Sequence, residues 1–245
     1  MADLVKLAVE PIHSERALIV GNYLVVADLH LGFEHELRKK GIIIRPQWEK
    51  MRERLVHLLE ISSAASLIIV GDLKHNIPAM SWREYSGIPG FVAGLSEHSE
   101  VIIVKGNHDG GIERLLPKTE IVKSLEINGA LLTHGHMNIP SADYEYIVLG
   151  HNHPCIDFRD EFGYAVRESA WIRAELNERG MELFGLNTSP KVVIAPAFND
   201  MLPGTPFNCE RRLLGPLFNK GLVDMANAEA YLLDGTALGR IKDLG

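Results

Sequence analysis

The stretch SLIIVGDLKHNIP, residues 66–78, decides how the chain is read. Leu67–Val70 is apolar and β-branched, with the length and composition of a strand buried on both faces. Gly71 ends the run, and Asp72, Lys74 and His75 follow at once. A plain exit to solvent explains one such cluster, with Gly71 allowing a turn and Asp72 capping the next element. A side chain aimed into a site explains it equally well. The choice rests on whether the pattern returns.

It returns four times. Tyr23–Ala27 runs into Asp28-Leu29-His30, and Val101–Val104 leads, after Lys105, to Gly106-Asn107-His108-Asp109. Ala130–Thr133 is followed by His134-Gly135-His136, and Tyr146–Leu149 by Gly150-His151-Asn152-His153. Ala17–Val20 is a further strand-like run. Between the runs, Trp48 to Ile61 places apolar residues at Trp48, Met51, Leu55, Leu58, Leu59 and Ile61, close to helical spacing, and Pro46 suits its first turn. Glu34–Lys40 and Glu84–Leu95 carry weaker helical patterns. Strands alternating with helices predict a layered α/β fold. Ligands of open α/β sheets bind beyond the carboxyl ends of the strands, so neighbouring strands would bring all five polar bursts to one pocket.

From about residue 155 the texture changes to short runs, such as Val192–Ala195 and Ala230–Leu233, between turn-rich segments. Asp234-Gly235 between two apolar stretches signals a hairpin. No Pro-, Gly- or Ser-rich linker and no internal repeat divides the chain, so residues 1–245 read as one domain. Composition is that of an ordinary globular protein, with 46% hydrophobic and 23% charged residues. No apolar run approaches the roughly 18 residues of a membrane span, and the opening MADLVKLAVEP lacks the basic end and apolar middle of a signal peptide. Cys155 and Cys209 form no CxxC pair, which makes a disulfide framework unexpected and the reducing cytoplasm the expected location. The net charge of −7 argues against tight non-specific binding to long nucleic acid. It does not argue against a phosphate substrate, because bound cations reverse the sign locally.

Burying so many carboxylates and imidazoles together is costly without compensation, and metal ions are the usual compensation. An oxygen and nitrogen donor set without thiolate disfavours iron–sulfur clusters and Cys-type structural zinc, and suits manganese, iron, nickel or catalytic zinc. The donors are too many for one ion. A pair roughly 3.5–4 Å apart, sharing one carboxylate, would use about this number; such a pair activates a water and clamps phosphate oxygens during in-line attack. A histidine just outside the ligands would then protonate the leaving oxygen.

In this order the five bursts resemble the calcineurin-like metallophosphoesterase family, whose pattern is DxH, GD, GNHD, a lone H and GHxH. The match runs through Asp28/His30, Gly71-Asp72, Gly106-Asn107-His108-Asp109, His134 and Gly150-His151-Asn152-His153. The resemblance implies a four-layer αββα sandwich, two mixed sheets face to face with helices outside, and the strand-rich tail completing the second sheet. It implies two divalent ions, manganese first, with iron, nickel or zinc as alternatives. One ion would be held by Asp28, His30, Asp72 and His153, the other by Asp72, Asn107, His134 and His151, with Asp72 bridging. His136 is the alternative to His134. His108 would contact phosphate and protonate the leaving group, with Asp109 orienting it. The stretches DLHLGFE and GDLKH are similar to a small prokaryotic group related to SbcD-type repair nucleases, in which a histidine three residues after the bridging aspartate helps bind and cleave phosphodiesters. His75 stands there.

Phosphodiester hydrolysis is therefore the expected activity, with DNA or a nucleotide as the expected partner and no membrane. Phosphomonoester or nucleotide hydrolysis is the second reading, and a metal-bound scaffold that binds a protein partner is the third. An intact Asn107-His108-Asp109 argues against the third, since a scaffold needs no acid. Lys74 reads as an exposed loop lysine or a phosphate contact. Arg38-Lys39-Lys40 reads as a solvated helix end, with a nucleic-acid backbone contact as the alternative. Phe198-Asn199-Asp200, in an irregular Pro/Gly-rich segment, reads as an entrance loop or a rigid crossing.

Overall fold

The computed structural model describes residues 9–209 and 212–244; the opening MADLVKLA lies outside them. A six-stranded sheet runs in chain order through β1 (Val9–Pro11), β2 (Ala17–Val20), β3 (Tyr23–Ala27), β4 (Ser66–Val70), β5 (Glu100–Val104) and β6 (Glu120–Val122). The first three strands pair antiparallel, and β3 to β6 are parallel. Parallel neighbours require crossovers. Helices α1 (Phe33–Lys39) and α2 (Trp48–Ser62) cross from β3 to β4, and α3 (Trp82–Ser96) crosses from β4 to β5.

The second sheet contains β7 (Ser124–Ile127), β8 (Ala130–Thr133), β9 (Tyr146–Leu149), β10 (Pro154–Arg159), β11 (Ala165–Glu175), β12 (Lys191–Ile194), β13 (Thr205–Pro206), β14 (Glu229–Leu232) and β15 (Ala237–Arg240). Its order is β13-β10-β11-β12-β9-β8-β7, and the β14–β15 hairpin adds to β11. Strands β8, β9 and β12 are mutually parallel, so their carboxyl ends share one edge. Helices α4 (Glu178–Phe184) and α5 (Pro216–Asn219) lie in the connections of this half.

Strand β4 shows why the layers stack as they do. Alternate side chains of a strand point to opposite faces. Leu67 and Ile69 pack with Leu55 and Leu58 of α2 and Ile88, Phe91 and Leu95 of α3. Ile68 and Val70 pack with Leu132, Val148, Trp171 and Val193 of the facing sheet. Outside that sheet, Leu131, Ile147, Ile172 and Ile194 meet Phe184, Leu217 and Leu222. The layers are therefore helix, sheet, sheet, helix, the expected αββα sandwich, and the Asp234-Gly235 hairpin completes the second sheet.

The helical expectation over 48–61 matches α2, which buries Met51, Leu55, Leu58 and Leu59. Ile61, counted in the same stripe, is 58% exposed. Helix α3 starts two residues before the expected Glu84. Ser81 accepts from the Glu84 backbone N–H and the Glu84 side chain accepts from the Ser81 N–H, a capping box that fixes the start at Trp82. Replacing Ile69 by Ala should lower unfolding stability in urea by about 2–5 kcal/mol. Ile61→Ala should change it by no more than about 0.5 kcal/mol.

Candidate metal centre

Five strands, from both sheets, deliver the site. Just beyond them Asp28 (φ 56°), His30 (φ 44°), Asp72 (φ 42°), His151 (φ 71°) and His153 (φ 45°) all sit in the left-handed region. Such conformations cost a non-glycine residue on the order of 1–3 kcal/mol each and persist only where the surroundings enforce them. The enforcement is visible. The His30 and Leu31 N–H groups donate to the carbonyls of Asp72 and Leu73, both at 2.8 Å. The Phe198 N–H donates to the Ala27 carbonyl at 2.7 Å, and Asn199 Nδ2 to the Leu29 carbonyl at 2.9 Å. Two glycines allow the loops to close. A Cβ on Gly71 would lie 2.0 Å from the His134 ring, and one on Gly106 would lie 2.1 Å from Asp72 Oδ1.

Asp28 is fully buried. It accepts from His134 Nε2 at 3.0 Å and from the His151 N–H at 2.9 Å, with His153 Nε2 at 3.5 Å. Asp72 accepts the His108 N–H on Oδ1 at 2.8 Å. Its Oδ2 stands 3.5 Å from His30 Nε2, 3.4 Å from His134 Nε2 and 3.9 Å from His108 Nε2. Donor atoms within 4.8 Å of one another fall into three groups: Asp28/His30/His153, Asp72/His134/His151 and His30/His75/His108. Asp72 stands between the first two. Asn107 is exposed on the same loop as His108.

The fields within the cluster pull in opposite directions. Burial opposes ionisation of Asp28, but the charge of His153 and the hydrogen bond from His134 win and hold it well below the usual carboxylate range. Burial pushes Asp72 up, the neighbouring Asp28 charge adds to this, and His134 opposes it. Burial also pulls His30 down to about 2 and His151 to about 3. His134 moves up despite its burial, because Asp28 and Asp72 face it. Two carboxylates and mostly neutral imidazoles are the state in which these groups ligate cations. The Nε2 atoms of His30 and His153 are buried and make no hydrogen bond. Such atoms are expensive unless something binds them, so the residues fit a divalent cation.

Around this centre the side chains depart from expectation in three places. Asp109 does not touch the His108 ring; it accepts from the backbone N–H groups of Gly106 (2.8 Å) and Lys74 (3.1 Å) and ties two site loops together. The His108 ring is held instead through Nδ1, which donates to the His75 carbonyl. His75 has both ring nitrogens engaged, Nδ1 with His30 Nδ1 at 3.1 Å and Nε2 with Glu36 Oε2 at 2.9 Å, so no ring nitrogen is left for a phosphate. Lys74 is buried, its Nζ donating to the Asn76 carbonyl at 2.6 Å, rather than exposed. His136 lies behind His134, Nδ1 to Nδ1 at 3.0 Å, while His134 faces the carboxylates. Asn152 is buried and exchanges hydrogen bonds with the Leu214 backbone, pinning a distant loop beside His151. Phe198-Asn199-Asp200 is a crossing: the first two are buried, and Asp200 pairs with Arg16 and Arg54.

Two face-to-face mixed sheets that gather carboxylates and imidazoles at their strand ends define a metallohydrolase class. Residues 21–175 match the pattern of the calcineurin-like phosphoesterase family, and the chain belongs to it, a family of dinuclear metal-dependent enzymes that hydrolyse phosphoester bonds. The solved structure of Pseudomonas putida nuclease MPE is 19% identical, covers 94% of this chain and 100% of that one, and superposes with a TM-score of 0.61. YfcE, a phosphoesterase from E. coli, is 24% identical over 56% of this chain and 73% of its own, with a TM-score of 0.35. No curated protein gave a significant match. No helix among the described residues is long and apolar enough to cross a membrane.

The close approach at Gly106 yields a test independent of turnover. Gly106→Ala should displace the Asp72 carboxylate and weaken divalent-cation binding by about 10–100-fold, the range seen when groups supporting a metal ligand are lost, as read by calorimetric titration.

Proposed function

We propose that the chain hydrolyses phosphodiesters with two divalent cations, manganese first among them. Asp28, His30, Asp72 and His153 would hold one, and Asp72, Asn107, His134 and His151 the other. The observation that carries this reading is the convergence of the groups Asp28/His30/His153 and Asp72/His134/His151, with buried imidazole nitrogens left unpaired. When bound, the cations supply positive charge for phosphate oxygens and lower the pKa of a water at the site. The protein supplies the rest. A carbonyl can only accept, so His108 carries a hydrogen on Nδ1 toward His75 in either charge state. As the acid it would be the imidazolium, whose second hydrogen, on Nε2, passes to the departing oxygen and leaves the neutral Nδ1–H ring. Asp109 acts on the loops that carry His108 and Asp72, not on the His108 ring.

Diesters are favoured over monoesters because the lysines of two loops that form the site are already engaged. A monoester dianion brings a second negative charge to be neutralised. In the loops that follow β4 and β5, Lys74 is buried against Asn76 and Lys105 pairs with Glu113. Neither is free to meet that charge. The structural likeness to a nuclease makes DNA a natural substrate to try, with nucleotides as the alternative. A single domain over residues 1–245 goes with this reading, because both sheets supply the site. The cytoplasm is the proposed compartment, on the cysteine usage of the sequence.

With added manganese, bis(p-nitrophenyl) phosphate should be hydrolysed faster than p-nitrophenyl phosphate. Equal or better turnover of the monoester would make the protein a phosphatase, and inertness toward both in a manganese-loaded sample would favour the scaffold. His108→Ala should retain its metal and lose about 10²–10⁴-fold in turnover of diesters with alkyl leaving groups. The loss should shrink for p-nitrophenol, which leaves without help. An equal loss on both substrates would remove His108 from the acid role.

A further inference from the structure

Glu36 lies on α1, outside all five sequence bursts, yet its carboxylate reaches into the centre. Oε2 is 2.9 Å from His75 Nε2. We propose that Glu36 is a positioning residue for the metal centre: it holds the His75 ring so that His75 accepts the Nδ1–H of His30 and leaves His30 Nε2 bare to face a cation. The proposal rests on the dinuclear reading above.

The chain of hydrogen bonds has one consistent direction. An ionised carboxylate only accepts, so His75 carries its hydrogen on Nε2. The Nδ1 of a neutral ring is then a lone pair. It stands 3.1 Å from His30 Nδ1, so His30 must be the donor. That places the His30 hydrogen on the outer nitrogen, and Nε2, which is buried and unpaired 3.5 Å from Asp72 Oδ2, keeps its lone pair for a metal. The opposite tautomer would aim an N–H at the place a cation must occupy.

Both ends of the relay are braced. The Phe33 ring packs edge-on against His75, with ring centres 5.1 Å apart. The His75 N–H is held by the Leu31 carbonyl and by Glu84 Oε1, each at 3.0 Å. Glu36 also accepts from Lys40 one turn along α1, which keeps the carboxylate in place. In the second metal group His134 and His136 also meet Nδ1 to Nδ1 at 3.0 Å, but His134 Nε2 already donates to Asp28, so no relay sets its tautomer in the same way. Among the described residues, no carboxylate accepts from His136 to match the one Glu36 offers His75. Losing Glu36 should therefore loosen the His30 side of the centre more than the His134 side. It should spare the bond from His108 to the His75 carbonyl, which belongs to the backbone.

The test compares wild type, Glu36→Ala and Glu36→Gln as full-length chains. Manganese binding is measured by calorimetry after metal removal, and ring tautomers are read from long-range ¹⁵N–¹H correlations of histidine-labelled, metal-free protein. Glu36 is partly exposed, and circular dichroism checks that each variant folds. The wild type should show His30 as Nδ1–H and His75 as Nε2–H. Glu36→Ala should mix the tautomers and weaken one of two manganese sites by about 10–100-fold. Glu36→Gln, whose amide oxygen accepts the same N–H, should restore both readouts. Unchanged tautomers and affinity in Glu36→Ala would overturn the proposal. So would a glutamine variant as weak as the alanine one, since charge rather than hydrogen-bond acceptance would then be responsible. A wild type that takes up no manganese would sink the metal reading instead, and the tautomers would still report on the relay.

Discussion

The carboxylate of Asp28 is the contact on which the arrangement depends. It sits at the end of a strand in one sheet and accepts hydrogen bonds from His134 and His151 of the other. A buried carboxylate is tolerated only when it is partnered, so the two sheets cannot slide or splay at this edge without exposing an expensive charge. The same contact that closes the sandwich thereby places carboxylates and imidazoles from both sheets within reach of one another. The inter-sheet core of Ile68, Val70, Val148 and Trp171 lies behind that edge and holds the spacing.

Closing so tightly has a local cost, and it falls on the clustered carboxylates and imidazoles. Asp28, His30, Asp72, His151 and His153 all adopt backbone conformations that L-residues avoid. Glycine at these positions would relieve the strain but remove the side chains. The chain instead places glycine where neighbours press in, at Gly71 against the His134 ring and at Gly106 against Asp72. Division of labour between strained polar residues and permissive glycines explains why four of the five bursts pair a Gly with an Asp, Asn or His.

Much of this was legible from residue order because strand burial and ligand chemistry leave marks within a few positions of each other. An apolar run ending in Gly-Asp or Gly-His carries its meaning locally, and the stripe of α2 does the same. Strand β11, the longest in the described residues, went unread: AVRESAWIRAE interleaves Arg and Glu with Ala, a composition as suited to helix as to strand, and only its three partners β10, β12 and β14 settle it. Glu36 went unread for a related reason. On sequence it is one charged residue of a short amphipathic helix, and its contact lies 39 positions away. The contacts of Asp109, Lys74 and the His75 ring were illegible for a similar reason, because adjacency along the chain says nothing about which way a loop side chain turns.

Glu84 shows how far a local signal can underreport its use. Its capping box with Ser81 is complete within four residues and needs no tertiary partner to make sense. Yet the carboxyl group also accepts the N–H groups of His75 and Asn76, at 3.0 and 2.8 Å, and is wholly buried. The hydrogen bonds from Asn76 and Ser81 outweigh the burial that would otherwise raise it, and hold the group below the ordinary range for Glu. One ionised side chain thus starts α3 and fixes the backbone that presents the His75 ring to His30 and the His75 carbonyl to His108. A helix cap that would read as worth about 1 kcal/mol of local stability is in this fold a support of the metal centre.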